Sequence, residues 1–215
     1  MSDPLHIETF TLGMWQTNCY VVHIGEGGDA WVVDAGFDPA PMIDAIKAKQ
    51  LGVQQVVLTH AHVDHIAGLQ EVVDAVDGDP PILIHEAEAA FLTDTTLNLS
   101  AMAMMPVVAP EATRLLAGGE TLELGPHRFE VRHTPGHSPG GVCLYCEQQG
   151  VAIVGDTLFA GSIGRYDFPT SDGPALMRSI RERLLTLPDD TRVLPGHGPA
   201  TTVGQERRSN PYLQS

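Results

Sequence analysis

Positive charge, cysteine and long apolar runs are all in short supply in this sequence, and each shortage removes a class of function. Against 27 acidic residues stand 12 lysines and arginines, a formal net charge of −15 at pH 7. Proteins that grip nucleic acid through its phosphates need the opposite balance, so no nucleic-acid partner is expected. No apolar stretch approaches the roughly 20 residues of a spanning helix, so no membrane partner is expected either. The start, Met1, Ser2, Asp3 and Pro4, lacks a basic segment followed by an apolar one and reads as having no signal peptide. A cytoplasmic protein is the resulting expectation.

Three cysteines are too few for a disulfide framework. Cys143 and Cys146 form a C-x-x-C, but they sit with Val142, Leu144 and Tyr145 in a strand-like run. Residues three apart on a strand point to opposite faces, so this pair is not expected to chelate one metal. Cys19 reads as a small buried residue. A chain of 215 residues is long enough for a substantial core, as one large domain or two tight halves.

What the sequence does have is a dense histidine cluster: Thr59, His60, Ala61, His62, Val63, Asp64 and His65. Three imidazoles and a carboxylate this close favour a positive ion among them, and a divalent ion such as zinc takes these ligands readily. Val56, Val57 and Leu58 just before read as a strand buried on both faces, because three consecutive apolar residues leave no polar face. His60 and His62 then project from the strand end. Asp64 and His65 open a helix whose Leu69, Val72, Val73 and Val76 fall at helical spacing. One cluster could therefore face two neighbouring metal positions. A histidine-rich surface turn is the alternative that needs no metal.

Residues 5–12 and 17–24 read as strands joined near Gly13. Residues 31–36 read as a third strand ending in Asp34 and Gly36, after which Asp38 is expected to cap a helix carrying Met42, Ile43, Ala45 and Ile46. Residues 81–85 predict a buried strand and 86–91 a helical segment. In the irregular stretch 92–119, Met102, Met104 and Met105 suit an adaptable apolar wall or lid over an acyl group, but core filling is the expectation. Residues 121–124 and 128–133 predict two strands across a Gly-Pro turn. Single candidate ligands then follow at element ends: His137 in the loop 134–140, Asp156 after an apolar strand from Val151, and His197 after another from Arg192. Strand then Asp34, strand then His60 is echoed by strand then Asp156, strand then His197, each with a helical pattern between. Such a duplication would set two sheets face to face with helices outside.

The ordered set H-x-H-x-D-H, His137, Asp156 and His197 resembles the metallo-β-lactamase superfamily. The resemblance implies an α+β fold, an αββα sandwich of two mixed sheets with helices on the outer faces, with residues 1–215 as one domain. It implies that His60, His62 and His137 hold one metal ion and that Asp64, His65 and His197 hold a second. Asp156 would bridge them, Asp34 would support the ligands from behind, and Asp64 would also be the catalytic carboxylate. Two divalent ions are expected, zinc first, with iron or manganese as alternatives. His6, His23, His85, His127 and His133 match no ligand position and read as structural or exposed. Such a pair, partly neutralised by two aspartates and a bridging hydroxide, stays positive enough to hold a carbonyl oxygen, and it lowers the pKa of the bridging water. No serine or cysteine nucleophile is required.

Residues 155–159 (Gly-Asp-Thr-Leu-Phe) and 164–169 (Gly-Arg-Tyr-Asp-Phe-Pro) narrow the resemblance to the glyoxalase II, or hydroxyacylglutathione hydrolase, group. The short, single-domain bacterial form fits, without the helical C-terminal glutathione-binding domain. This implies hydrolysis of a small-molecule thioester such as S-D-lactoylglutathione, with Arg165 and Tyr166 contacting the glutathione carrier. The group's tyrosine contact is Asp167 here. A glutathione persulfide dioxygenase with a single iron is the alternative enzyme. Lactonases share the ligand set but not the Gly-Arg-x-Asp stretch, β-lactamase activity stands behind them, and a scaffold without activity is the non-enzymatic alternative.

Overall fold

A computed structural model describes residues 4–214, and the amino-terminal reading at Met1, Ser2 and Asp3 lies outside them. The chain divides into two units, the first running to Leu116 and including Glu123–His127, the second made of Ala117–Leu122 and the chain from Arg128 onward.

Unit one is built on strands β1 (His6–Leu12), β2 (Thr17–His23), β3 (Asp29–Val33), β4 (Gly52–Val57), β5 (Ile82–His85) and β6 (Arg114–Leu116), which lie in that order in one sheet. β1, β2 and β3 are antiparallel neighbours, whereas β3 to β6 run parallel. Val56, Val57 and Leu58 are buried, as an apolar run of this kind requires. Helix α1 (Ala40–Ala48) crosses over from β3 to β4 and buries Met42, Ile43 and Ile46. Each such burial is worth roughly 1.5–3 kcal/mol.

Three local expectations change. Asp38 does not cap α1: it adopts φ 57°, and the residue at the cap position, Pro39, offers no side-chain acceptor. Pro39 and Pro41 set the entry through their ring-fixed φ instead. The helix after the histidine turn is two short ones, α2 (Val63–Ile66) and α3 (Leu69–Ala75), with Val76 already extended beyond them. The break has a cause in hydrogen bonding, since the His65 carbonyl accepts from Ala35 N–H and Gly68 N–H donates to the Ala35 carbonyl. Both groups are thereby withdrawn from a continuous helical ladder. Lastly, Met102 and Met104 are 61% and 88% exposed, and Met105 is exposed as well, so they do not fill the core. From this stretch Leu92 and Ala109 join the core cluster, with Leu97 packed against it.

The remaining strands, which apart from Glu123–His127 belong to unit two, are β7 (Thr121–Leu124), β8 (His127–His133), β9 (Val142–Cys146), β10 (Val151–Gly155), the small hairpin β11 (Leu158–Phe159) and β12 (Ser162–Ile163), then β13 (Arg192–Pro195) and β14 (Thr201–Thr202). Their six-stranded sheet has the order β14-β13-β10-β9-β8-β7, with β10 and β13 parallel. Helix α4 (Gly173–Ser179), continued by a π-helical turn at Ile180–Leu184, lies in the crossover between them. Its Leu176, Ile180 and Leu184 pack in one cluster with Cys143, Val154 and Val193. Each unit thus has a parallel strand–helix–strand crossover, the echo heard in the sequence. The cysteines are all buried and free. No helix among the described residues is long and apolar enough to cross a membrane.

Candidate metal centre

In unit one the parallel run of β3, β4 and β5 brings their carboxyl ends to one sheet edge. Asp34 follows β3 there, and the histidine turn follows β4. Asp34, buried and at φ 60°, is an acceptor for three groups. Thr59 N–H donates to its Oδ1 at 2.7 Å, the Thr59 hydroxyl to Oδ2 at 2.7 Å, and His65 Nδ1–H to Oδ2 at 2.8 Å. Because the Thr59 hydroxyl spends its proton on Asp34, it accepts from His60 Nδ1–H at 3.2 Å. Both imidazoles are thereby fixed with the lone pair on Nε2, the arrangement that supports metal-bound histidines. Ala61 N–H, between His60 and His62, donates at 2.6 Å to the fully buried carboxylate of Glu88. On the opposite flank, the Thr17 hydroxyl donates to Asp64 Oδ2 at 3.0 Å.

In unit two β8 and β10 are both antiparallel to β9, and β10 is parallel to β13, so the carboxyl ends of β8, β10 and β13 share an edge. His137, Asp156 and His197 follow those three ends. His137 Nδ1–H donates to the Arg165 carbonyl at 2.8 Å, which again leaves the lone pair on Nε2. His137 Nε2 and His197 Nε2 each lie 3.5 Å from Asp156 Oδ2. The loop carrying His137 is tied to the turn after Asp156 through buried hydroxyls, with Thr134 Oγ1 and Thr157 Oγ1 3.1 Å apart and Cys143 Sγ 3.2 Å from Thr134 Oγ1. The Ser171 and Ser179 hydroxyls donate to the carbonyls of His137 and Pro135. Glycine is obligatory at two contacts of this loop. A Cβ on Gly164 would lie 1.8 Å from the Asp156 carbonyl oxygen, and one on Gly136, at φ +140°, would lie 2.2 Å from Leu176 N.

The donor set fits divalent ions. His65 Nε2 lies 3.6 Å from Asp64 Oδ2, so an imidazole lone pair faces a carboxylate oxygen, as it does between His137 and Asp156. Acceptor facing acceptor is unfavourable until a cation sits between. Ligand atoms about 2 Å from one tetrahedral ion are roughly 3.3 Å from each other, close to these spacings. His60, His62 and His65 are essentially fully buried, and buried nitrogen and carboxylate donors suit zinc, iron or manganese.

The cysteines stay out of this chemistry. Cys19 Sγ accepts from Gly36 N–H, and burial, then the nearby Asp34 charge, pushes its thiol up to about 12. Burial pushes Cys143 up to about 11. Of the other histidines, His23 pairs with Glu8, the His85 ring accepts from Ala87 N–H, and His133 reaches the Pro139 carbonyl, all structural contacts.

The proposed carrier contacts look different. Arg165 forks onto Asp167 through two 2.9 Å bonds and lies 4.3 Å from the centroid of the Phe168 ring, with the ion pair about two-thirds exposed. The pairing raises the Arg165 pKa and lowers that of Asp167. Tyr166 is half exposed. Sequence reasoning missed Glu88, Thr17, Thr134 and Thr157, all of which act across long stretches of chain. The only available hint was that Thr134 and Thr157 each stand within three residues of a candidate ligand.

The superfamily pattern described as "Metallo-beta-lactamase superfamily" matches residues 12–197. A Bacillus subtilis protein described as "Probable metallo-hydrolase YqgX" is 40% identical over 94% of this chain and 94% of its own. "Hydroxyacylglutathione hydrolase GloC" of Haemophilus influenzae is 34% identical over 98% of this chain and 99% of its own. Among solved structures, BLEG-1 B3 metallo-beta-lactamase matches with TM-score 0.92 at 39% identity, over 98% of this chain and all of its own. TTHA1623 in a di-iron-bound form matches with TM-score 0.84 at 38% identity, over 96% of this chain and all of its own. With the two mixed sheets and the ligand set at their edges, these matches place the chain in the metallo-β-lactamase superfamily, with that superfamily's α+β fold.

Proposed function

We propose that this chain, a metal-dependent hydrolase of the superfamily, cleaves a thioester of glutathione such as S-D-lactoylglutathione with two divalent ions. His60, His62 and His137 would hold one ion and Asp64, His65 and His197 the other, with Asp156 shared. The observation that carries the reading is the pair of acceptor-to-acceptor spacings, His65 to Asp64 and His137 to Asp156, with His197 Nε2 at the same 3.5 Å from Asp156 Oδ2. Each joins two residues assigned to the same ion. Bound ions would supply a hydroxide near neutral pH and positive charge for the carbonyl oxygen.

The chain's own residues do the rest. Asp34 and the Arg165 carbonyl hold the imidazole tautomers, and Glu88 fixes the backbone between His60 and His62. Asp64, steadied by Thr17, would be the carboxylate that orients the water. The likeness to a hydroxyacylglutathione hydrolase over nearly the full length supports a thioester, and the di-iron relative makes iron a candidate alongside zinc. The likeness to a B3 metallo-β-lactamase supports β-lactam opening as a second reading.

Purified protein should be analysed for metal and assayed on lactoylglutathione and on a chromogenic cephalosporin. About two ions per chain with lactoylglutathione turnover is the expected result. Turnover of the cephalosporin alone would transfer the assignment to β-lactams, and a single iron with oxygen uptake on glutathione persulfide would overturn hydrolysis.

A further inference from the structure

Exposed apolar side chains of unit one gather at the ligand-bearing edge. β2 is antiparallel to β3, so its start at Thr17 lies with the end of β3, and the preceding turn carries Met14, 72% exposed, and Trp15. The excursion between β5 and β6 leaves the same edge, because β5 runs parallel to β4, and it carries Met102, Met104, Met105 and Val108, all exposed. Leu115 is the one further member among the exposed large hydrophobics of this unit.

The excursion is rigidly built. The buried Asn98 side chain donates to the Val107 carbonyl at 3.0 Å and accepts from Ser100 N–H, while the buried Ser100 hydroxyl accepts from Val107 N–H at 3.0 Å. Leu99 and Met104 hold left-handed backbone, φ 67° and 56°, which non-glycine residues adopt only when surroundings dictate it. The whole element is fastened to the metal turn, since Val63 N–H, between His62 and Asp64, donates to the Asn98 carbonyl at 2.9 Å. A stiff frame rooted beside ligands thus displays flexible, polarisable side chains to solvent. Methionine in that setting fits irregular apolar ligands.

We infer that the methionine excursion is an acyl-group subsite, and that the enzyme prefers thioesters whose acyl group is apolar and larger than lactoyl. This rests on the thioester reading above. A hydroxyl-bearing three-carbon acyl group would leave most of this surface uncovered, whereas an alkyl or aryl chain would cover it.

The test uses the metal-loaded full chain and M102Q/M104Q, in which both exposed residues keep their length but gain an amide. Acetyl, butanoyl and hexanoyl thioesters of glutathione are compared, and S-methyl- and S-hexylglutathione binding is measured by calorimetry. We expect kcat/KM to rise about two- to fourfold per added methylene, as partial to full burial of each predicts, and the rise to flatten in the double variant. S-Hexylglutathione should bind more tightly than S-methylglutathione, by a margin that shrinks in the variant. A flat chain-length series with equal binding of the two ligands would overturn the subsite while leaving thioester hydrolysis standing. If no thioester is turned over, the thioester reading falls and calorimetry alone decides, equal affinities again overturning the subsite.

Discussion

The two units hold their candidate metal ligands in different ways. Unit one packs four donors into one turn and braces them with buried carboxylates, Asp34 on His65 and Thr59, and Glu88 on Ala61. Unit two takes its donors from three separate strand ends and braces them with neutral groups: the Arg165 carbonyl, the Thr134 and Thr157 hydroxyls, and the close contact at Gly164. In the contiguous cluster the orientation of each side chain is left to the groups behind it, and the carboxylates of Asp34 and Glu88 take most of that work, with the Thr17 and Thr59 hydroxyls beside them. Dispersed ligands are oriented by the fold, so their supports are packing and hydroxyl contacts.

The largest effect should come from removing Asp156, the donor proposed to serve both ions. Asp156→Ala is expected to lower kcat/KM by on the order of a thousandfold or more, since it withdraws several kcal/mol of ion-centred stabilisation. His65→Ala should cost less, and metal analysis should find one ion lost rather than two. Equal losses in both variants would deny Asp156 its shared place.

Next come the charged supports of unit one. Asp34→Asn should weaken metal binding about 10- to 100-fold, read by competition with a chromogenic chelator. Glu88→Ala should lower stability by about 1–3 kcal/mol, because it removes the acceptor of a buried N–H, and Glu88→Gln should recover part of that in thermal denaturation. In unit two, Thr157→Val should cost about 1 kcal/mol of stability and shift metal affinity less than Asp34→Asn does. If Thr157→Val proved the more damaging to metal binding, the contrast between charge-braced and fold-braced ligands would be wrong.

Arg165→Ala should have the smallest effect. Its fork is committed to Asp167 and exposed, so a rise in KM of only a few fold is expected, confined to glutathione thioesters relative to a small uncharged thioester. Equal change on both substrates with a lower melting temperature would make the residue a loop brace.

The parts of this molecule legible in the sequence are those written in neighbouring residues. The Val56, Val57 and Leu58 run announced a buried strand, and the histidine spacing announced candidate ligands beyond it. The single donors His137, Asp156 and His197 were legible only as an ordered set, since any one of them alone resembles an ordinary loop residue. Asp38 failed as a cap because two nearby prolines had already set the helix entry. The methionines stay exposed while Leu92 and Ala109 of the same stretch join the core, a division of roles that composition does not record. Glu88 and Thr17 were invisible for a related reason, as their partners lie far along the chain and nothing local marks a carboxylate or hydroxyl as bound for a distant turn.

The left-handed backbone at Asp34 limits which replacements evolution or an engineer could try there. Asparagine tolerates φ near 60° and keeps the side-chain shape, glycine keeps only the backbone, and alanine or glutamate strains it. A saturation library at this position should therefore sort into tiers by folding before metal is considered. Asparagine would keep fold and shape while losing the charge and turning one of the two accepting oxygens into a donor that faces Thr59 or His65.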